Sequence, residues 1–219
     1  MRSAKRAAGE ISPKTKLVVA TLDLLRRGGL SGAGINQVID ASQAPKGSVY
    51  HYFPGGKRQL VIEALREAER TVGENFANVF HGTARVAGKV RTLFTKTAAA
   101  LEANEFAKGC PIAAVTLDLD RESQALRDVC REGFGRWVEV IAQGLDDVPQ
   151  DERRSVALLI LATLDRFVSR AAYAQLARER GLFMIPGGPT ASPQRFGTTA
   201  QSSCRFGRMA GRFNVAHDR

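Results

Sequence analysis

Apolar residues fall at helical spacing along most of the chain. Leu17, Val18, Leu22, Leu24 and Leu25 share a stripe, with Ser12-Pro13 ahead of them and Gly28-Gly29 behind. A serine cap followed by proline at the first helical position starts a helix well, and glycine just past the last apolar position stops one. Ile35, Val38 and Ile39 repeat the i, i+3, i+4 spacing over a short second helix, which Ser42-Gln43-Ala44 breaks. Pro45 is placed to open a third short helix through Tyr52, and Phe53-Pro54-Gly55-Gly56 is a turn sequence. Val61, Ala64, Leu65, Ala68 and Val72 then predict a long fourth helix reaching Phe80.

The period persists further on. Val86, Val90, Leu93, Thr97 and Leu101 form one stripe, and Cys110-Pro111 opens a short apolar helix through Leu119. Leu126, Cys130, Phe134, Trp137, Ile141 and Leu145 mark another helix. After Val148-Pro149, the residues Val156, Leu159, Ile160, Thr163, Leu164 and Phe167 begin a last one. No stretch alternates with period two for long enough to argue a sheet, so the expected fold class is all-α. Residues 181–219 differ in kind: they hold six Gly, three Pro and five Arg, no Lys, no Glu and no helical stripe. Such a segment buries too little apolar area to offset its ordering entropy, which predicts a disordered end.

Composition narrows the class. A chain of 219 residues that is 44% hydrophobic can build one or two small domains with a true core. It excludes a collagenous, disulfide-framed or wholly disordered chain. No apolar run approaches the ~18 residues of a membrane span, and the basic residues 1–6 lead into no apolar leader core. The expected location is the cytoplasm, with Cys110, Cys130 and Cys204 as reduced thiols. Cys110 and Cys130 admit a redox-sensing role, but small buried hydrophobes are the plainer reading, and the stripe puts Cys130 in a core. His51, His81 and His217 stand apart from one another and from any cysteine pair, so neither a metal nor a cofactor is expected. The glycines at 28, 29, 32 and 34 follow a helix rather than a strand and make no phosphate loop. Nothing pairs carboxylates or orders Ser, His and Asp for catalysis. Asp118 and Asp120, near a helix end, read as solvated.

Charge changes the picture more. The formal net charge is +10, and it is uneven. Residues 1–60 carry +7, residues 61–162 carry −3 and residues 163–219 carry +6. A basic head on a near-neutral body fits a densely negative partner, most simply nucleic acid, although a solubilising surface has the same sign. Three short helices within that head, the second and third joined by a tight turn, are what a helix-turn-helix requires. Its third helix presents N-terminal residues to base edges in the major groove. Lys46 and Ser48 begin that helix on this reading. Gly47 lets backbone approach a duplex, and Tyr50, His51 and Tyr52 offer donors to phosphates. Tyr52 and Phe53 also suit simple packing, and His51 a plain surface site.

The run from Ala44 to Phe53 (APKGSVYHYF), followed by Pro54-Gly55-Gly56-Lys57 and Leu60, resembles the DNA-binding signature of the TetR family of bacterial repressors. Its Pro-Lys-Gly-Ser and Tyr-His-Tyr-Phe-Pro-Gly-Gly-Lys elements, with Gly109-Cys110-Pro111-Ile112-Ala113, are similar to the LmrA/YxaF-type branch. The resemblance covers roughly residues 13–162 and is specific in its first fifty. It implies a homodimer with a helix-turn-helix domain over 1–56 and a helical ligand-binding and dimerisation domain over 57–180, followed by the atypical tail 181–219. It further implies that a ligand alters the spacing of the two DNA-reading heads and releases operator DNA. Carried over by position, Gln37, Lys46 and Ser48 fall where base edges are met, and Tyr50, His51, Tyr52 and Lys57 where phosphates are met. A small hydrophobic or aromatic effector is implied as well. Phe76, Leu93, Phe94, Phe134 and Trp137 are candidates to line its pocket, although residues at such spacing also serve as ordinary core.

Two departures stand against the resemblance. Ala33-Gly34 replaces the Ser or Thr that usually caps the second helix, a loss of about 1 kcal/mol. After about Leu164 the chain turns Arg-rich and Lys-free where the family keeps apolar helix. A reading-frame change near residues 162–166 and a genuine basic tail both account for this. The competing functional readings are a basic protein that coats nucleic acid without sequence preference and a regulator left unable to dimerise.

Overall fold

The computed structural model describes residues 11–119 and 123–179, with side chains placed as far as residue 169. The predicted disordered tail 181–219, Asp120, Cys204 and His217 lie outside the described residues. Among those described there are eight helices and no strand. They are α1 (Pro13–Gly28), α2 (Ile35–Ser42), α3 (Ser48–Tyr52), α4 (Gly56–Phe80), α5 (Val86–Ala103), α6 (Pro111–Asp118), α7 (Gln124–Gln143) and α8 (Arg153–Glu179). The chain is all-α. Ser12 caps α1 as its sequence predicts, its hydroxyl accepting the Thr15 N–H at 3.1 Å, and Pro13 takes the first helical position.

Two apolar cores follow from the stripes. The smaller joins Leu17 and Ala20 of α1, Val38 of α2, Val49 of α3 and the start of α4 at Leu60, with Ala44 and Phe53 between helices. Leu17, Val49 and Phe53 are fully buried there. The larger packs the remaining length of α4 against α7, with α5, α6 and α8 around them. Because α4 contributes Leu60 to one core and Val61 through Phe80 to the other, a single rod links them.

Polar groups brace the larger core. Lys89 near the start of α5 is buried, and its Nζ donates to the Gly144 carbonyl at 2.8 Å and to Asp146 at 3.1 Å. Those bonds answer the cost of burying an ammonium. Gly144, at the end of α7, lies so close to Phe80 that a Cβ would overlap that residue's carbonyl. Two helix ends meet backbone to backbone at this point.

Candidate nucleic-acid interface and ligand cavity

The third helix is shorter than its sequence predicts. The sequence puts its start at Pro45, but α3 begins at Ser48 and Pro45–Gly47 form a turn, in which the Ser48 N–H donates to the Pro45 carbonyl at 2.8 Å. The first i→i+4 bond runs from His51 to the Gly47 carbonyl at 3.2 Å. An i→i+3 turn thus closes before the first i→i+4 bond forms. Lys46 therefore lies in the turn before α3 rather than at its first position.

The helix nevertheless has two distinct sides. Val49 is wholly buried, while Lys46, Gly47, Tyr50 and His51 are exposed and Ser48 and Tyr52 are half-buried. Tyr50 is 64% exposed, a large aromatic with no core to serve. His51 and Tyr52 meet edge-on, ring centroids 4.7 Å apart, and Tyr52 also packs against the small core.

Two candidates on flanking elements already have work inside the chain. The Gln37 carboxamide oxygen accepts the Gly34 N–H at 2.8 Å, which supplies from the third helical position part of the cap that Gly34 lacks. The Lys57 ammonium donates to the Leu30 carbonyl at 2.8 Å. Leu30 belongs to the loop between α1 and α2, and that loop is held from a second direction. Asp118, the last residue of α6, stays exposed as expected, yet its Oδ2 accepts the Leu30 N–H at 2.7 Å and the Ser31 N–H at 3.4 Å. Gly29 makes this contact possible: its φ is +61°, and a Cβ would overlap the Asp118 carboxylate. Lys57 and Asp118 thus clamp one loop between the starts of α2 and α4 and the end of α6.

A cavity of about 470 Å³ opens among α4, α5, α7 and α8. Phe76, Leu93, Phe134 and Trp137 line it, together with Cys110 and Pro111 at the start of α6. Trp137 anchors the aromatic wall, edge-on to Phe76 at 5.7 Å and to Phe134 at 5.6 Å, with its Nε1–H donated to the Glu69 carbonyl at 2.9 Å. Phe94 is absent from the lining. It turns instead onto Phe167 of α8, centroids 5.6 Å apart, because the fifth helix directs Leu93 inward and its neighbour aside. Burial pushes the Cys110 thiol up to about 11, and the negative charge of Asp165 adds to that. Such a thiol stays protonated near neutrality and makes a poor nucleophile.

The chain is similar to known proteins. A family model for bacterial regulatory proteins of the tetR family matches residues 17–64, the segment holding the short helices. A second, for the C-terminal domain of LmrA/YxaF-like transcriptional regulators, matches residues 86–165. The HTH-type transcriptional regulator LmrA of Bacillus subtilis is 30% identical over 142 residues, covering 65% of this chain and 76% of that protein. The uncharacterised HTH-type regulator Rv0196 of Mycobacterium tuberculosis is 35% identical over 161 residues, covering 70% and 80%.

The chain belongs to the TetR family. A solved TetR regulatory protein from Rhodobacter sphaeroides shares the fold at a TM-score of 0.67 and 18% identity, covering 76% of this chain and 95% of that one. TetR-family proteins are DNA-binding transcriptional regulators rather than enzymes, and this one carries the LmrA/YxaF-like form of the C-terminal domain. Among the described residues no helix is long and apolar enough to cross a membrane. Two residues of the candidate site are not legible in the sequence. Asp118 gave no sign of its loop contact, and Asp165, which lines the cavity, went unremarked because a single acid inside an apolar stripe resembles a helix surface position.

Proposed function

We propose that the protein is a repressor that binds operator DNA as a homodimer and leaves it when a small apolar or aromatic molecule enters the cavity. The observation that carries this reading is the two-sided third helix. Val49 and Phe53 hold it on the small core, while Lys46, Gly47, Tyr50 and His51 stand exposed and Ser48 is half-buried. Lys46 and Ser48 suit base edges, and Tyr50, His51 and Tyr52 suit phosphates. Gln37 and Lys57 support the head from within, through Gly34 and Leu30, and Lys57 also lies near enough to the head to add positive charge.

A short helix runs from the cavity to the head. At its start α6 borders the cavity through Cys110 and Pro111, and at its end Asp118 grips the α1–α2 loop. A helix of eight residues spans about 12 Å, so a ligand that shifts its first turn shifts the loop clamp as well. Dimerisation is supported by α8, where Leu158 and Leu159 are 59% and 67% exposed. Large apolar side chains on one helix suit a twin surface.

The test is a titration of the purified protein on DNA from upstream of its own gene, with a large excess of unrelated DNA. A complex that survives the competitor supports the repressor reading. A complex lost to competitor in proportion to its mass assigns the protein to sequence-independent coating instead.

A further inference from the structure

The cavity wall contains one acceptor that nothing in the chain satisfies. Leu161, Leu164, Asp165 and Val168 present a single face of α8 to the cavity, and three of the four are apolar. The Oδ1 atom of Asp165 is sealed from solvent and has no hydrogen-bond partner. Burial raises its carboxyl above the ordinary value, and no lysine or arginine offsets that effect. Three other polar groups of the lining are engaged within the chain. Trp137 donates to Glu69, Asn104 to the Ala100 carbonyl at 2.6 Å, and Lys108 pairs with Asp23 at 2.5 Å. Buried polar atoms are almost always partnered, so a carboxylate that lines a cavity and keeps one oxygen unpartnered marks a place for a missing donor.

The donor must also answer a charge. A hydroxyl satisfies one lone pair and leaves the carboxylate uncompensated in an apolar wall, whereas an ammonium supplies both hydrogen bonds and the opposite sign. The aromatic wall of Phe76, Phe134 and Trp137 favours the same partner, since ring faces attract cations and ring bodies alike. We propose that Asp165 is the head-group site of the cavity and that the effector is an aromatic amine-bearing molecule, its ammonium on Asp165 and its ring against Trp137. This deepens the ligand-released reading above and rests on it. Arg26 and Lys96 also line the cavity, which makes an acid head the competing outcome.

Three probes with one phenyl body separate these outcomes: phenethylamine, phenethyl alcohol and phenylpropionate. Binding to the full chain is followed by the fluorescence of Trp137, the single tryptophan, and by the shift in Tm. Phenethylamine is expected to bind about tenfold more tightly than either of the others, the usual reach of a charge-assisted contact. The Asp165→Asn variant is expected to lose that preference while still taking the alcohol, and Asp165→Glu to recover part of it. Preference for phenylpropionate, equal binding of all three, or an amine preference that survives in Asp165→Asn overturns the head-group assignment and leaves the cavity reading standing. If none of the three changes fluorescence or Tm, the cavity reading falls and this inference with it. Should Asp165→Asn fail to fold, the order of the three probes on the natural chain still decides.

Discussion

Gly47 is a glycine that its own chain does not need. Its φ of −67° suits any residue, and a Cβ there would meet nothing within 4 Å. An outside surface explains the choice better than an internal one, and the proposed duplex is such a surface. Gly47→Ala is therefore expected to leave helix content and Tm unchanged while weakening operator binding by about 1–3 kcal/mol, measured by anisotropy beside circular dichroism. Lys46→Ala should weaken binding and lower the salt dependence by about one ion, and Tyr50→Phe should weaken it without unfolding. Wild-type affinity in all three contradicts the interface. Gln37 and Lys57 show where residue-level reasoning stops. Their types fit DNA contact and internal capping equally, and only the fold reveals that Gly34 and Leu30 claim them. Asp118 was less legible still, because its partners lie 87 and 88 residues away in the chain. Replacing it by Ala removes the acceptor of the Leu30 N–H and should cost about 1 kcal/mol in urea unfolding, with Asp118→Asn retaining part of that.

Helices are the level at which the sequence was most readable. Apolar spacing predicts the long helices α4 and α7, since each buries one stripe along its length, although it carries α7 on to Leu145 where the helix ends at Gln143. It failed at the start of α3, where Pro45 and Gly47 favour a turn that competes with a helical opening over only three residues. It also gave no warning of the contact between the ends of α4 and α7, which depends on an absent side chain rather than a present one. Gly144→Ala places a methyl group on the Phe80 carbonyl, and backbone cannot swing aside as a flexible side chain does. The expected cost is about 1–3 kcal/mol, read as a lowered urea midpoint with an unchanged m-value. A variant as stable as the natural protein contradicts this packing. Spacing alone puts Phe94 at the cavity, and the pairing with Phe167 that removes it is not legible because α8 is distant in sequence.

Across the whole molecule, charge governs both stability and encounter with DNA. Hydrogen bonding to Arg70 holds Glu67 below its usual range, and hydrogen bonding to Lys89 does the same for Asp146. Burial opposes ionisation of Asp23, but Lys108 and Arg27 outweigh it and lower that carboxyl too. Depressed folded values mean stability that is complete above the unfolded carboxylate range and lost as pH falls on through the lowered folded values. Asp165 has the opposite sign: its raised value penalises the ionised folded state and is relieved by protonation. Tm should thus hold level near neutrality and drop below about pH 4, and Asp165→Asn should raise Tm near neutrality by a gain that shrinks on acidification. A Tm that rises steadily into acid contradicts the three paired carboxylates. The most direct test of the central claim is a hydroxyl-radical footprint of the protein on DNA upstream of its own gene. Two protected stretches centred about ten base pairs apart, or a multiple of that spacing, are the expected result for a dimer reading two half-sites with α3. A single stretch, or diffuse protection that follows no sequence, would contradict it.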